Sequence, residues 1–141
     1  SVEGKAAVLL NKPFDWGSRP PLAQSFRHLL SNELVTVSIN HFKSKGSCPK
    51  DATSKDADQH DGQACWNALR KTSARALRDW LAKQPTGVKT DQQIILGDLN
   101  AYRMENPVKM LEQQGWTYLK AETGPQYSYV YRENKQPNFC S

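Results

Sequence analysis

A short apolar run that ends in a carboxylate and a carboxamide constrains this chain more than any other feature. The run Ile94–Leu96 leads directly into Gly97-Asp98-Leu99-Asn100. Such a run is typical of a buried strand, and the two-residue spacing points Asp98 and Asn100 the same way. In α/β proteins the crevice at the carboxyl ends of such strands holds the chemistry. The alternative is a strand that stops in an Asx turn, which Asp and Asn suit equally well.

A second predicted strand also ends in polar residues. From Leu34 to Phe42 the chain alternates apolar and polar residues with period two, which predicts a strand whose polar face, Thr36, Ser38 and Asn40, points at a site. The segment Asn40-His41-Phe42-Lys43-Ser44-Lys45 supplies amide, imidazole and ammonium groups that suit phosphate oxygens. A lone histidine at a strand end is more often structural than catalytic. His41 therefore indicates a functional site only in combination with Asp98 and Asn100 at the end of the first predicted strand.

These segments are two of five motifs that occur in a fixed order. The motifs are Arg19-Pro20-Pro21-Leu22-Ala23-Gln24, Asn40 to Lys45, Asp61-Gly62-Gln63-Ala64-Cys65-Trp66-Asn67, Gly97 to Tyr102, and Tyr127-Ser128-Tyr129-Val130-Tyr131. Together they resemble the endonuclease/exonuclease/phosphatase superfamily, and most of all its secreted bacterial extracellular deoxyribonucleases. The resemblance implies a divalent-metal-dependent phosphodiesterase. It also implies a pancreatic-deoxyribonuclease-like α/β fold, in which two sheets form a sandwich with flanking helices.

The resemblance assigns catalytic roles to three residues. It implies that Asp98 orients or activates the attacking water, alone or by binding Mg²⁺ or Mn²⁺, while Asn100 holds phosphate and water in line. It implies that His41 hydrogen-bonds the scissile phosphate. The residues that it implies as phosphate-binding are Arg19, Asn40 and Lys43. Phosphodiester cleavage passes through a charge-rich transition state, which fixed hydrogen-bond donors and a divalent cation stabilise.

Two parts of the superfamily pattern are not found in this sequence, namely an early metal-binding Glu and a late Asp-His pair. Glu3 and Glu33 lack the context of that ligand, and the sequence after Tyr131 departs from the pattern. The 141 residues are also fewer than the roughly 250 of a large single α/β domain. We therefore expect residues 1–141 to form a partial domain with an exposed apolar sheet face, completed by a partner chain, a dimer or further native sequence.

The chain has three cysteines. Cys48 and Cys65 flank a polar loop, where they form either a disulfide or two reduced thiols. The related extracellular nucleases have a similar pair of cysteines around a loop, which favours the disulfide and a secreted, extracellular or periplasmic protein. Cys140 is left over, as expected if it pairs with a cysteine in missing sequence or in another chain.

The loop between the first two cysteines is acidic. Asp56, Asp58 and Asp61 fall within six residues that end next to a glycine. Carboxylates on a flexible turn suit a structural Ca²⁺ ion, although the closing Glu of a helix-loop-helix calcium site is missing. The other interpretation is a solvated acidic loop.

Apolar spacing predicts two helices. The first runs from Gly62 to Lys83 with Asp61 as its N-cap. Its inward face is predicted to contain Trp66, Leu69, Ser73, Leu77 and Trp80, and its outer surface Arg70, Lys71, Arg75 and Arg78. The second begins at Asn106 as N-cap with Pro107 in the first turn, directs Val108 and Leu111 inward and ends at Gly115. Further strands are predicted at 5–10, 116–119 and 126–131, and residues 22–30 form either a strand or a helical turn.

Composition limits the classes of function. The net charge of +5 favours a polyanionic partner, and no apolar run is long enough to span a bilayer. The first hypothesis is a nonspecific nuclease that cleaves the DNA backbone, or RNA. A second is a catalytically incomplete fragment that binds nucleic acid or a partner chain. A third is a phosphoesterase of the same superfamily that acts on lipid or inositol phosphates.

Overall fold

The protein is a mixed α/β structure. The computed structural model describes residues 1–119, 129–133 and 136–140, the last two ranges as backbone. In chain order, the elements are β1 (Val2–Val8), β2 (Arg19–Arg27), β3 (Leu34–His41), α1 (Asn67–Leu81), β4 (Gln93–Asp98), α2 (Asn106–Gln113), β5 (Tyr129–Glu133) and β6 (Gln136–Cys140). Of the segment 22–30, which the sequence left undecided between strand and helical turn, residues 22–27 belong to the strand β2 and residues 28–30 lie beyond its end.

Four strands form one mixed sheet in the order β1-β2-β3-β4. The first three are antiparallel neighbours, whereas β3 and β4 run parallel and are joined through α1. A parallel pair needs such a crossover because its second strand must start at the same end as its first. Strands β5 and β6 form a separate antiparallel pair. The α/β prediction is confirmed.

The core lies between one face of the sheet and the two helices. Its buried side chains are Phe14, Ala23, Phe42, Ala74, Leu77, Leu81 and Leu111. Trp80 packs against this cluster from its edge. The buried residues of helix α1 are Arg70, Ser73, Ala74, Leu77 and Leu81. Of the predicted inward face, Ser73 and Leu77 are buried, whereas Trp66, Leu69 and Trp80 are only half-buried.

The expectation that Arg70 lies on the outer surface of α1 is wrong. Arg70 is fully buried, and its guanidinium donates to the main-chain oxygens of Gln63 at 2.8 Å, Cys65 at 2.8 Å and Lys43 at 3.3 Å. A buried cation persists only where its donors are satisfied. The arginine therefore ties α1 to the loops on either side of the disulfide.

The predicted start of α1 is also wrong. The helix begins at Asn67 with Trp66 as N-cap, in the left-handed region at φ 65°, and Asp61 accepts the Gln63 N–H at 3.0 Å in the preceding turn. One N–H of the first turn finds an acceptor across the loop, because Asp56 Oδ1 accepts the Leu69 N–H at 2.8 Å. An acidic group at this end also complements the helix dipole.

Helix α2 follows the predicted pattern closely. Glu105, one residue before the predicted Asn106, is the N-cap, and Pro107 occupies the first turn. Val108 and Leu111 are buried, and Gly115 follows the helix at φ +94°, as predicted. The strand predicted at 116–119 is absent, since these residues form irregular structure. The predicted strand at 126–131 is described only from Tyr129, within β5, and residues 126–128 lie outside the described residues.

The four-stranded sheet has small polar residues on its buried face and apolar residues on its exposed face. Small polar residues lie under the helices, where Ser25 Oγ lies 2.7 Å from Thr36 Oγ1 and 2.6 Å from Thr86 Oγ1. The opposite face is exposed and apolar, and we call it the apolar sheet face: Val2, Val8, Leu22, Phe26, Ile39, Ile94 and Leu96. Exposed apolar patches are a feature of interaction surfaces in proteins. The two-sheet sandwich and the partial domain stay predictions.

Candidate functional site

Two parallel strands bring the predicted catalytic residues to one end of the sheet. His41 at the end of β3 pairs in register with Asp98 at the end of β4. Because Ile39 and Leu96 pair two residues earlier and side chains alternate along a strand, His41 and Asp98 continue the apolar sheet face. The site therefore lies at the rim of that face, where parallel strands place their carboxyl ends.

The third member of the site comes from the neighbouring strand. Arg19, the first residue of β2, pairs in register with His41, and its Nη1 lies 3.1 Å from His41 Nδ1. Arg19, His41 and Asp98 thus stand side by side on β2, β3 and β4. All three side chains remain accessible to solvent in part or in full.

Asp98 and Asn100 are joined through a tight turn after β4. Asp98 Oδ1 accepts the Asn100 N–H at 2.8 Å, and the Asn100 side-chain amide donates to the Phe42 carbonyl at 3.0 Å. Asn100 has φ 49°, a left-handed conformation that Asn tolerates. This is the Asx turn that the sequence allowed, and it also binds the loop after β4 to the loop after β3. The Asp98 carboxylate stays exposed at the rim.

A glycine permits this close approach. Gly97 has φ +115°, and a Cβ there would lie 2.1 Å from the Asn40 carbonyl oxygen. Any side chain at this position would push β3 and β4 apart at the point where they present His41 and Asp98. The glycine of the motif is therefore required by the geometry of the site.

Asn40 lies on the opposite face of β3. It is buried, and its amide donates to the carbonyls of Ser38 at 3.0 Å and Leu96 at 3.1 Å. The structure does not bring Asn40 together with Arg19, His41 and Asp98. A phosphate-binding role for Asn40 stays a prediction, and its observed contacts tie β3 to β4.

The Lys43 side chain makes its contacts with the loop that follows it and with Trp66. Its ammonium group donates to the carbonyls of Ser44 and Gly46, both at 2.9 Å, and lies 5.0 Å from the centre of the Trp66 ring. Burial lowers the pKa of Lys43, and the nearby positive charge of Arg70 adds to this effect. The hydrogen-bond acceptors of the ammonium group are neutral, so none of them forms an ion pair with it.

Sequence reasoning missed a buried acid next to this region. Glu105 is buried and forms an ion pair with Lys45, whose ammonium lies 4.1 Å from the centre of the Tyr102 ring. Burial raises the pKa of Glu105, against the opposing effect of Lys45. A glutamate just before a predicted helix resembles any solvated N-terminal acid, so the sequence carries no signal for its burial.

The acidic residues of the disulfide loop are not gathered into one site. Each carboxylate accepts a hydrogen bond from a different backbone N–H: Asp56 from Leu69 in α1, Asp58 from His60 at 2.8 Å, and Asp61 from Gln63. Among the described residues no group of three His, Cys, Asp or Glu side chains is placed to hold a metal ion. The structural Ca²⁺ stays a prediction.

The disulfide between Cys48 and Cys65 is present, with a Cα–Cα distance of 5.4 Å. It closes the polar loop and joins it to the start of α1. The Cys140 side chain lies outside the described part of the chain. No helix among the described residues is both long and apolar enough to span a membrane.

No family model, curated protein or solved structure matches the sequence.

Proposed function

We propose that this protein is a metal-dependent phosphodiesterase of the endonuclease/exonuclease/phosphatase type, which cleaves the backbone of DNA, or of RNA, outside the cytoplasm. The observation that carries this proposal is the alignment of Arg19, His41 and Asp98 on three neighbouring strands. A guanidinium, an imidazole and a carboxylate at one strand edge provide two donors for a phosphate and one acceptor for a water. The disulfide supports an oxidising compartment.

The hydrogen bond between Arg19 and His41 sets the role of the imidazole. Arginine only donates, so His41 Nδ1 accepts and the neutral ring carries its hydrogen on Nε2. Nε2–H can then donate to a phosphate oxygen, and Arg19 retains further donors for a second oxygen. Donors held in place before the reaction stabilise the charge that develops on the phosphate.

Asp98 supplies the hydrogen-bond acceptor for the attacking water. One of its oxygens is held by the Asn100 N–H, which fixes the orientation of the carboxylate at the rim. In this position Asp98 orients the water that attacks phosphorus and accepts its hydrogen bond. Asn100 supports Asp98 through the turn and the Phe42 carbonyl.

The Asp98 carboxylate at the rim fits Mg²⁺ or Mn²⁺, because Mg²⁺ binds through one or two carboxylates together with waters and substrate phosphates. Asp98 is the residue that would hold the ion. The ion would neutralise the negative charge of the phosphate group during cleavage.

The apolar sheet face supports the two-sheet sandwich proposed for this fold. Arg19, His41 and Asp98 lie at the rim of that face, so a second sheet packed on it would also border the site. We propose that this covering layer, from further sequence or from a partner chain, adds the remaining acidic ligands. Sheets that pack face to face bury apolar side chains of both inner faces.

A second candidate function follows because, in the part of the chain that the structure describes, no group of three acidic, histidine or cysteine side chains could hold a metal ion. A site with Arg19 and His41 but without further acids can bind a phosphate backbone and fail to cleave it. The protein would then be a nucleic-acid-binding module, in which the positive net charge of +5 supplies salt-sensitive affinity.

A plasmid-nicking assay distinguishes the phosphodiesterase from the nucleic-acid-binding module. The wild-type chain is incubated with Mg²⁺ or Mn²⁺, or with EDTA, beside the variants Asp98→Asn and Asp91→Asn. Asp91 is an exposed acid that precedes β4 at its opposite end, which makes it the matched control. Metal-dependent nicking that is lost only in Asp98→Asn supports the phosphodiesterase. Salt-sensitive binding in EDTA without nicking in metal contradicts it and supports the binding module.

A further inference from the structure

An exposed tryptophan lies in the loop that leads to the site. Trp16 has 57% of its surface exposed, although Phe14 and Ser18 on either side of it are buried. Ser18 Oγ accepts the Lys43 N–H at 2.9 Å, and Phe14 packs 6.0 Å from Phe42 in the core, measured between ring centres. The loop is thus fixed on both sides of an indole that faces solvent.

A second tryptophan supports the first from one side. The ring centres of Trp16 and Trp66 are 5.0 Å apart, and the rings are inclined at 55°. The Trp66 Nε1–H donates to the carbonyls of Gly46 at 3.1 Å and Ser47 at 3.0 Å. Trp66 also follows Cys65 of the disulfide. The pair therefore forms an aromatic surface of fixed orientation, which we call the tryptophan pair.

One positive charge lies close to the tryptophan pair. Lys43 Nζ lies 5.0 Å from the centre of the Trp66 ring, and its donors go to neutral oxygens. Arg19 follows Trp16 by three residues, so their Cα atoms are at most about 11 Å apart. Successive phosphates of one strand are about 3.4 Å apart along a duplex axis. The tryptophan pair is therefore within a few nucleotides of a phosphate held at Arg19 and His41.

We propose that the tryptophan pair is a stacking surface for a base of an unpaired nucleic-acid strand, next to the phosphate bound at Arg19 and His41. Aromatic rings beside cations recognise a base and its phosphate together. In a duplex each base already stacks on its neighbours, so the exposed face of Trp16 is available only to an unpaired or displaced base. This inference rests on the proposed function and adds to it a preference for unpaired strands.

Fluorescence anisotropy with a labelled thymidine oligonucleotide, in EDTA so that nothing is cleaved, tests this directly. An abasic oligonucleotide with the same number of phosphates is the second probe. The variants are Trp16→Ala, Trp16→Phe and Leu30→Ala, the last an exposed residue between β2 and β3. We expect Trp16→Ala to weaken binding of the thymidine strand about 5- to 150-fold. Trp16→Phe should retain most of the affinity, and Leu30→Ala all of it.

For the abasic strand we expect wild type and Trp16→Ala to bind equally. The proposal is overturned if Trp16→Ala binds the thymidine strand as tightly as wild type, if it loses affinity equally for both strands, or if wild type binds neither. The test of the stacking surface can succeed or fail independently of the test of the phosphodiesterase activity. Trp16-dependent binding without nicking supports the stacking surface and rejects catalysis, whereas nicking with unchanged binding by Trp16→Ala rejects the stacking surface alone.

Discussion

Arg19 Nη1 lies 3.1 Å from His41 Nδ1, at a position where the two residues are also aligned in register across β2 and β3. The contact joins two side chains that both present hydrogen-bond donors at the same edge of the sheet. It leaves Nε2 as the donor nitrogen of the neutral imidazole. Arginine and histidine should therefore act as one unit.

The first prediction concerns this coupling. We expect His41→Ala to reduce plasmid nicking about 100-fold, because one preorganised donor to the phosphate is removed. Arg19→Ala should reduce it about 10-fold, and the double variant should be little worse than His41→Ala, since residues that act together give non-additive losses. The measurement is the nicking rate of all four proteins. Losses that multiply in the double variant would contradict the coupling.

The second prediction concerns the glycine between β4 and the site. Gly97→Ala should lower the free energy of unfolding by at least about 3 kcal/mol, because its Cβ would collide with the Asn40 carbonyl at 2.1 Å. Gly87→Ala should cost about 1 kcal/mol, since only its φ of +78° opposes a side chain.

Gly46 is the matched control, because a Cβ there meets nothing within 4 Å and its φ is not in the left-handed range. Gly46→Ala should change stability by no more than about 0.5 kcal/mol. Urea denaturation of the three variants gives the ranking. Equal stabilities for Gly97→Ala and Gly87→Ala would contradict the close approach of the strands.

The third prediction concerns the disulfide. Cys48 and Cys65 are 17 positions apart in sequence, and opening a loop of this length should lower the free energy of unfolding by about 3 kcal/mol. The double variant Cys48→Ala/Cys65→Ala should therefore denature at lower urea concentration than wild type. A reducing agent should shift the midpoint of wild type and leave that of the double variant where it is. A wild-type midpoint that does not respond to reduction would contradict the prediction.

The fourth prediction concerns pH. Burial raises the pKa of Glu105 above its ordinary value of 4.5, so the folded protein holds this proton more tightly than the unfolded chain does. Its contribution to stability is fully present below the ordinary pKa and is lost as pH rises through the raised pKa. Glu105→Gln removes the titration. Between about pH 4 and pH 7 the variant should gain stability relative to wild type.

Thermal unfolding of both proteins over this pH range measures the effect. Lys45→Met provides a second comparison, because it removes the cation that opposes the shift. Its stability should fall more steeply with rising pH than that of wild type. A constant difference between wild type and Glu105→Gln across the range would show that Glu105 does not titrate as proposed.

The sequence predicts the elements of the site better than its packing. The apolar run before Asp98 and the alternation before His41 identify β4 and β3, because both patterns follow from local side-chain spacing. The face of β3 that becomes buried does not follow from spacing. Thr36 and Ser38 are buried because polar partners and the helices lie on their side, while Ile39 stays exposed.

Contacts outside the helix explain why the predicted exposure of Arg70 and the predicted start of α1 are wrong. Arg70 occupies a helical position that charge patterning assigns to the surface, yet the main-chain oxygens of Gln63 and Cys65 before the helix and of the distant Lys43 accept its donors. The start of α1 is displaced from Asp61 because Asp56 caps the helix across the loop. Neither partner can be found from periodicity within the helix.

Binding of a phosphodiester at the rim tests the central claim most directly. We would titrate the protein with a thymidine dinucleotide in EDTA and follow the side-chain resonances of Arg19 and His41 by NMR. Lys109, an exposed residue of α2, serves as the control. We expect the Arg19 guanidinium and His41 imidazole signals to shift together and to saturate, with Lys109 unchanged. Saturable binding that leaves Arg19 and His41 unperturbed would contradict the site.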